Sequence, residues 1–446
     1  MSLYRRLASQ TSIIFAGRLF GAGVVFIVQA LIARTWGPTI LGEYLVIIAT
    51  ANLAAVAMPL GFQTIGTYFA AEYRAHARRQ QLVGFLARAY GHIVLTFAIL
   101  LVAGQPLLAA VGLGEGTVAR HFLPVLLLAF GTTMVFVNGA VLVGMKRPFA
   151  GFFADTLFRP MVVIAAFLAT AALIADVEAA FTAMLWAIAC GYVAICLIHF
   201  GFVVAAVLSA DNHGPAAERR EARRWWRFAL PWVLIALATD FFFDIDLLLL
   251  SGLLTREELA IFGVCTRVFS LLSFGVAAVY AVTMPDMFES EARSDRAGFN
   301  RKVGEANLVA GGLSVLLLVI VAIGGPFALM LFGPAFSAGA VPLVILCLAL
   351  VVRSLLGPAS LVLSVHDRPY ASLPAVGLGI AALVGGNFLL VPRFGLMGAA
   401  FAALIAISLW SGALWWVALK TARVDVSILQ RWRRADGRAG LEPSVR

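Results

Sequence analysis

The sequence has little charge and few cysteines. Only 13% of its 446 residues are charged, 62% are hydrophobic, and the mean hydropathy is +0.97. No soluble domain needs so much apolar surface, so this composition excludes an ordinary soluble protein and predicts a membrane protein. The four cysteines lie inside apolar runs without a CxxC pair, so neither a disulfide framework nor a zinc site is indicated.

The sequence also lacks features that an enzyme would need. No nucleophile–base pair, metal-ligand cluster or phosphate-binding glycine loop stands out, which predicts neither an enzyme nor a cofactor. The predicted outer loops, such as TWGPTILGE and GPAFSAGA, are too short to hold an external catalytic domain. No cleavable signal peptide is evident, and we expect the first apolar run to act as its own insertion signal.

Long apolar runs recur along the whole chain instead. Each has about 18 or more residues, which is enough to span the hydrocarbon core of a bilayer. We therefore predict an all-α polytopic membrane protein with twelve transmembrane helices. The predicted helices are 11–34, 43–69, 84–111, 121–144, 158–176, 180–208, 229–252, 259–284, 304–333, 340–363, 371–391 and 397–419.

The basic residues set the predicted orientation. Most of the 33 Lys and Arg residues fall in the two tails and in alternate loops, which predicts that both termini are cytoplasmic. The net charge of +10 therefore indicates topology and contact with anionic lipids rather than nucleic acid. Trp225 and Trp226 beside a run of arginines suggest a short interfacial segment before the seventh helix.

The chain repeats itself approximately halfway along. GMKRPFA in the first half resembles SVHDRPYA in the second. Six helices per half is an even number, so the two lobes should share one orientation, related by a pseudo-two-fold axis along the membrane normal. The predicted divisions are a first lobe, a basic linker with the interfacial segment, a second lobe and a basic tail, at 1–209, 210–228, 229–419 and 420–446.

Three carboxylates interrupt the predicted seventh helix. Asp240 and Asp244 are four residues apart and should share one face, whereas Asp246 should point elsewhere. A carboxylate inside the membrane costs roughly 2.5–3.5 kcal/mol on insertion scales, so it usually faces a cavity or a partner charge. Two interpretations are open: a structural pair held against arginines, or a polar pathway in which Asp240 and Asp244 couple transport to H⁺ or Na⁺.

Three arginines also lie well inside the predicted helices. Arg18 and Gln29 lie on one face of the first helix, and Arg267 lies on the eighth. Arg353 lies on the tenth helix, at the start of a row of polar residues along one face. Arginine has a planar fork that suits phosphate oxygens, so a phosphate-binding role competes with burial beside the carboxylates. Asn52 on the second helix is a further candidate, with helix–helix hydrogen bonding as the alternative.

Several segments together resemble a known family. ARTWGPTILGEY, the aspartate-containing run before LTREELAIF, and GPAFSAGAVPLVIL through VPRFGLMGAAFA are similar to the oligosaccharide (Wzx-like) flippases of the multidrug/oligosaccharidyl-lipid/polysaccharide exporter superfamily. The resemblance implies two six-helix lobes around a central cavity. It also implies that a polyprenyl-pyrophosphate-linked oligosaccharide moves from the inner to the outer leaflet by alternating access, for polysaccharide biosynthesis.

The resemblance also implies a binding site. Related peptidoglycan-precursor flippases carry cavity arginines on helices 1, 2 and 8. Arg18 and Arg267 match the first and last of these, while helix 2 here offers Asn52 and Gln63. The candidate substrate contacts are therefore Arg18, Arg267, Arg353, Gln29 and Asn52, in a protein expected to be a monomer.

Two other functions remain open at this point. A cation-coupled multidrug antiporter on the same fold would have an acidic cavity, which Asp240 and Asp244 could provide. A membrane polymerase or ligase would act on the same lipid, but it normally needs a long outer loop that carries catalytic residues, and this chain has none.

Overall fold

The computed structural model describes residues 3–110, 112–211, 219–292, 296–366 and 368–428, which are helical almost throughout and contain no β-strand. The α-helices are α1 (Leu3–Thr35), α2 (Pro38–Ala57), α3 (Phe62–Ala75), α4 (Arg79–Ala110), α5 (Thr117–Arg120), α6 (Phe122–Gly144), α7 (Pro148–Phe153), α8 (Arg159–Leu173), α9 (Val177–Leu208), α10 (Arg219–Asp240), α11 (Phe242–Leu250), α12 (Arg256–Ala292), α13 (Arg296–Met330), α14 (Ala340–Leu356), α15 (Ala359–Val365) and α16 (Leu373–Thr421). A π-helix (Ala154–Phe158) joins α7 to α8, and 3-10 turns (Pro334–Gly339 and Pro369–Ser372) precede α14 and α16.

Ten helical runs among the described residues are long and apolar enough to cross a membrane. One of them, Tyr370–Thr421, is 52 residues long and covers the predicted helices 371–391 and 397–419. It is kinked at Gly395, where φ is 53°. The predicted seventh helix lies in α10 and α11, outside these ten. The predicted all-α polytopic membrane fold is confirmed, and the count of twelve helices stays a prediction.

The predicted second helix, 43–69, is wrong as a single element, because α2 and α3 are separated by a turn at 58–61. Pro59 has no N–H to donate, and Gly61 has φ 89°, which favours glycine. A Cβ atom at Gly61 would overlap the carbonyl oxygen of Ala229 on α10. The backbone of α10 therefore packs closely against the turn between α2 and α3.

Two other predicted helices are also interrupted. The predicted helix 340–363 is divided into α14 and α15 at Gly357, where φ is 83°, and Pro358 follows. The predicted helix 229–252 begins earlier, at Arg219, and is divided at Phe241 into α10 and α11. Part of the predicted basic linker is therefore the first turns of α10.

The chain forms two compact units, Met1–Leu248 and Leu249–Arg446. In the first unit α6 is central and packs against α2, α3, α4 and α9. It is apolar on all sides, as a helix surrounded by others should be. In the second unit α14 packs against α12, α13 and α16. Packing groups α10 with the first unit, while the lobe divisions drawn from the sequence stay a prediction.

The segments that carry the sequence repeat share one backbone hydrogen bond. The arginine before each proline, Arg147 or Arg368, donates its backbone N–H to the carbonyl oxygen five residues earlier, at 2.8 Å in both cases. The helices that follow differ, since Pro148 begins an α-helix, α7, and Pro369 begins the 3-10 turn before α16. The repeated sequence therefore ends the preceding helix in the same way in both units.

Candidate functional site

The two polar residues predicted to share a face of α1 lie in different environments. Arg18 is exposed, and its guanidinium carbon lies 4.8 Å from the centroid of the Phe152 ring on α7. Gln29 is only 1% exposed, and its Oε1 atom has no hydrogen-bond partner among the described residues. Arg18 is therefore accessible to a ligand, whereas Gln29 is part of the packed interior.

Asn52 and Asp244 are brought together from distant parts of the sequence. Asn52 on α2 donates its side-chain N–H to Oδ1 of Asp244 on α11, at 3.4 Å. Asp244 is 8% exposed, so this amide lies beside a nearly buried carboxylate. A predicted substrate residue and a predicted coupling residue thus belong to one polar pair inside the first unit.

The other helix 7 carboxylates differ from Asp244 in burial. Asp240 ends α10 and is exposed, whereas Asp246 lies on α11 and is fully buried. Because the helix is interrupted at Phe241, one continuous helix does not carry both Asp240 and Asp244, which corrects the geometry assumed from their spacing. Asp244 is the carboxylate whose side-chain partner, Asn52, is itself a candidate site residue.

A buried arginine that the sequence analysis did not select lies in the same unit. Arg159 donates to Oδ1 of Asp155 at 2.5 Å and to Oγ1 of Thr132 at 2.8 Å. Its guanidinium carbon lies 4.4 Å from the ring centroid of Tyr192 and 5.8 Å from that of Phe136. We call these five residues the Arg159 cluster; it joins α8 to α6 and α9.

The two charges of the Arg159 cluster are unequally accessible. The Arg159 side chain is 12% exposed and that of Asp155 is 42% exposed. The Phe136 ring also lies 6.4 Å from the ring of Phe241, at the break between α10 and α11. Phe136 therefore connects the Arg159 cluster to the break between α10 and α11, the two helices that carry Asp240 and Asp244.

The backbone explains why Asp155 and Arg159 meet. Residues 154–158 form a π-helix in which the Arg159 N–H bonds to the carbonyl of Ala154, and Pro160 supplies no N–H to the preceding turn. A Cβ atom at Gly21 on α1 would overlap the carbonyl oxygen of Thr156. Single π-helical turns often occur at functional sites, so the irregular backbone and the buried charge mark the same place.

The arginines of the second unit have different surroundings. Arg267 is half-buried on α12. Arg353 lies in the last turn of α14 and is exposed, with its guanidinium carbon 5.6 Å from the ring centroid of Trp410 on α16. Arg18 and Arg353 therefore each pair an exposed guanidinium with an aromatic ring, a contact that leaves the edge of the fork accessible to phosphate oxygens.

The start of α10 is fixed to α3 by a polar and aromatic group that we call the Trp225 cluster. Arg224 donates to both oxygens of Glu72, at 2.7 and 2.8 Å. Trp225 is fully buried and donates to the Tyr73 hydroxyl at 2.6 Å, which in turn donates to Glu221 at 2.8 Å. Trp225 is thus buried within the first unit, and the interfacial position of this segment stays a prediction.

Glu72 and Arg224 of the Trp225 cluster lie outside the candidate membrane spans, and each stabilises the charged form of the other. Burial alone would raise the pKa of the Glu72 carboxyl, but the hydrogen bond and charge of Arg224 lower it below its usual value of 4.5. The hydrogen bond to Glu72 likewise raises the pKa of Arg224. Because the folded state lowers the pKa of Glu72, the pair stabilises the protein above the usual pKa, and this contribution is lost as the pH falls through the lowered value.

We expect Glu72→Gln to lower the free energy of unfolding by about 1 kcal/mol at neutral pH, because the pair is bidentate but partly exposed. The difference from wild type should shrink as the pH falls below the usual carboxyl pKa. Thermal unfolding in detergent across a pH series measures this. Glu178→Gln is the control, since the Glu178 side chain is 78% exposed and lies 3.5 Å from Arg120. Equal pH dependence for both variants would contradict the assignment.

The comparisons with known proteins concern the fold. No protein-family model and no curated protein sequence matches the chain. A multidrug resistance MATE family transporter of the MOP superfamily, in an inward-facing conformation, matches with a TM-score of 0.74 and 14% identity over 91% of this chain and 95% of that one. The lipid II flippase MurJ, in an inward closed conformation, matches with a TM-score of 0.72 and 11% identity over 97% of this chain and 94% of that one.

The chain has the fold of these transporters. A third similar structure, a variant of the Vibrio cholerae MATE transporter VcmN, gives a TM-score of 0.64 and 16% identity over 94% of this chain and 98% of that one. Since each match covers nearly all of both chains, the likeness extends over both units. The molecule is a multi-pass membrane protein with this fold.

Proposed function

We propose that the protein is a transporter rather than an enzyme, and that it is a flippase. It moves a polyprenyl-pyrophosphate-linked oligosaccharide from the inner to the outer leaflet of the bacterial cytoplasmic membrane by alternating access, for polysaccharide biosynthesis. Both termini are cytoplasmic in this proposal, and the basic loops contact anionic lipids. Outward movement of the pyrophosphate across an inside-negative membrane gains roughly 2.3 kcal/mol per charge per 100 mV, so the membrane potential could drive it.

The environment of Arg18 carries the proposal. Arg18 lies in a span that is long and apolar enough to cross a membrane, and it is exposed there. Its guanidinium stacks on Phe152, and no carboxylate among the described residues forms an ion pair with it. A charged side chain within a membrane span needs an anionic partner or water. A pyrophosphate head group would supply that partner.

A second candidate function has its own observation. The Asn52–Asp244 pair places a nearly buried carboxylate inside the first unit, and the fold is shared with MATE multidrug transporters. A cation-coupled multidrug antiporter would use such a carboxylate for H⁺ or Na⁺. In the flippase that we propose, the same carboxylate would couple an ion to lipid movement.

Transport in reconstituted vesicles tests the proposal. The probes are a polyprenyl-pyrophosphate disaccharide and the cationic dye ethidium. We expect the lipid to cross, and Arg18→Ala and Arg267→Ala each to weaken its binding by about ten- to a hundredfold, because a charge-assisted hydrogen bond contributes roughly 1.5–3 kcal/mol. Arg18→Lys should restore binding only in part, since lysine keeps the charge and loses the fork.

The control for these variants is Arg78→Ala, which removes an arginine from the loop between α3 and α4. It should leave lipid binding unchanged at equal protein abundance. Movement of ethidium without the lipid would favour the antiporter, and wild-type lipid transport by both alanine variants would refute the arginine site.

A further inference from the structure

The segment after the last helix is folded into the second unit. α16 ends at Thr421, and the chain turns at Arg423, where φ is 54°. Val426 and Ser427 then become almost completely buried, at 0% and 3% exposure. A segment that merely followed the last span along the membrane surface would not be buried to this extent.

This segment bonds to the helix that breaks at Gly357. Ile428 donates its backbone N–H to the carbonyl oxygen of Leu355 at 3.0 Å. Leu355 lies in the last turn of α14, where the helix stops, and the N–H of Ala359 that would continue the helix donates to Gly357 instead of Leu355. The break falls within the candidate span Pro334–Leu363. A backbone carbonyl without a donor is unfavourable where water is excluded, and Ile428 supplies the donor for this one.

Side chains from three helices, α12, α13 and α16, and from the segment itself complete the contact. The Asn307 side chain on α13 is fully buried and donates to the carbonyl oxygen of Val426. Tyr280 on α12 donates its hydroxyl to the Asn307 oxygen at 3.2 Å. Asp425 accepts from the backbone N–H of Ser427 at 3.0 Å and from the indole N–H of Trp415 at 2.8 Å. Several polar groups of the segment therefore have hydrogen-bond partners within the second unit.

Gly357 provides the space for this contact. A Cβ atom there would overlap the carbonyl oxygen of Val426 and would also approach the Asn307 amide. The φ of 83° independently favours glycine. The break in the helix and the buried segment therefore fit one another through the same glycine.

We propose that residues 423–428 form a strap that caps the interrupted helix α14–α15 and positions Arg353. Arg353 lies in the turn that the strap caps, its carbonyl accepts from the Gly357 N–H at 3.2 Å, and its guanidinium lies over Trp410. In this proposal Arg353 contacts the ligand, and the strap only holds Arg353 in place. A role for Arg353 in binding phosphate rests on the proposed function, whereas the capping of the helix does not.

Two shortened chains isolate the strap. One ends at Ile428 and the other at Ala422, so they differ only in residues 423–428. We expect the shorter chain to unfold about 5 °C lower, and the amides of residues 353–366 to exchange hydrogen at least about tenfold faster, as local opening becomes easier. Equal melting temperatures and equal exchange rates would overturn the strap.

Gly357→Ala should reproduce the loss in the chain that ends at Ile428 and should have a smaller effect in the chain that ends at Ala422, where no carbonyl is displaced. Gly312→Ala on α13 is the matched control, since a Cβ atom there meets nothing within 4 Å. It should leave melting and exchange within error of the parent chain. Equal effects of Gly357→Ala in both chains would show that backbone strain alone is responsible and would overturn the contact.

Positioning is tested by binding of the polyprenyl-pyrophosphate disaccharide. Arg353→Ala should weaken binding by about tenfold in the chain that ends at Ile428, and by much less in the chain that ends at Ala422, where the arginine is already displaced. Equal losses in both would overturn positioning. If neither chain binds the probe while exchange still differs, the flippase proposal fails and the capping role of the strap stands.

Discussion

Replacing Asp155 by alanine is expected to destabilise the protein by about 3–5 kcal/mol, more than replacing its partner Arg159 by methionine. The reason is the unequal burial of the pair, with 12% of the Arg159 side chain exposed against 42% of Asp155. Removal of Asp155 leaves a buried cation without its carboxylate. Removal of Arg159 leaves the more accessible charge, and methionine fills most of the vacated volume between the aromatic rings.

Thermal unfolding in detergent and protein abundance in membranes measure these effects. Asp155→Ala combined with Arg159→Met should recover most of the stability, since apolar replacement of a buried pair is often close to neutral. A larger loss for Arg159→Met than for Asp155→Ala would show that stacking on Tyr192 and the bond to Thr132 dominate. Arg159→Met with normal stability and reduced transport would place Arg159 in the transport cycle.

The membrane fold could be predicted from the sequence because it depends on long apolar runs, which every span displays along its own length. Breaks inside the spans were predictable to different degrees. Pro59 with Gly61, and Gly357 with Pro358, are residues that interrupt helices locally. The break at Phe241 lies in the run DFFFDID, which has neither residue type, so it depends on tertiary contacts such as that with Phe136.

The types of residue in the candidate site could be predicted from the sequence, but the contacts between them could not. A charged residue in an apolar run is visible in the sequence, but its partner is not, since Asn52 and Asp244 are 192 residues apart. Arg159 was missed because it is the second residue of the predicted helix 158–176 and follows the basic loop that contains Lys146 and Arg147, so it resembled an arginine at the end of a span. Its spacing of four from Asp155 inside an apolar stretch was the signal that could have identified it.

The exchange of side chains between positions 52 and 244 should show whether Asp244 couples an ion or only holds two helices together. Asn52→Asp alone places a second carboxylate about 3.4 Å from the first. Like charges at that distance repel by roughly 5 kcal/mol at an effective dielectric constant of about 20. We therefore expect a loss of stability of about 3 kcal/mol or more unless one carboxyl takes up a proton.

Asp244→Asn alone removes the charge and keeps the shape, so it should remain folded at normal abundance. If Asp244 couples an ion, this variant should lose the dependence of lipid transport on a proton or sodium gradient. Glu178→Gln is the control, since the Glu178 side chain is 78% exposed and lies outside the candidate site; it should leave both stability and the gradient dependence of transport unchanged.

The double variant Asn52→Asp with Asp244→Asn decides between the two roles, because it restores one carboxylate and one amide with their positions exchanged. Stability should return to within about 1 kcal/mol of wild type, as expected for neighbouring residues whose effects are not additive. We expect gradient-dependent transport not to return, because the carboxylate then lies on α2 instead of α11. Recovery of both stability and transport would assign Asp244 a structural role, and recovery of neither would show that Asn52 and Asp244 do not act as a pair.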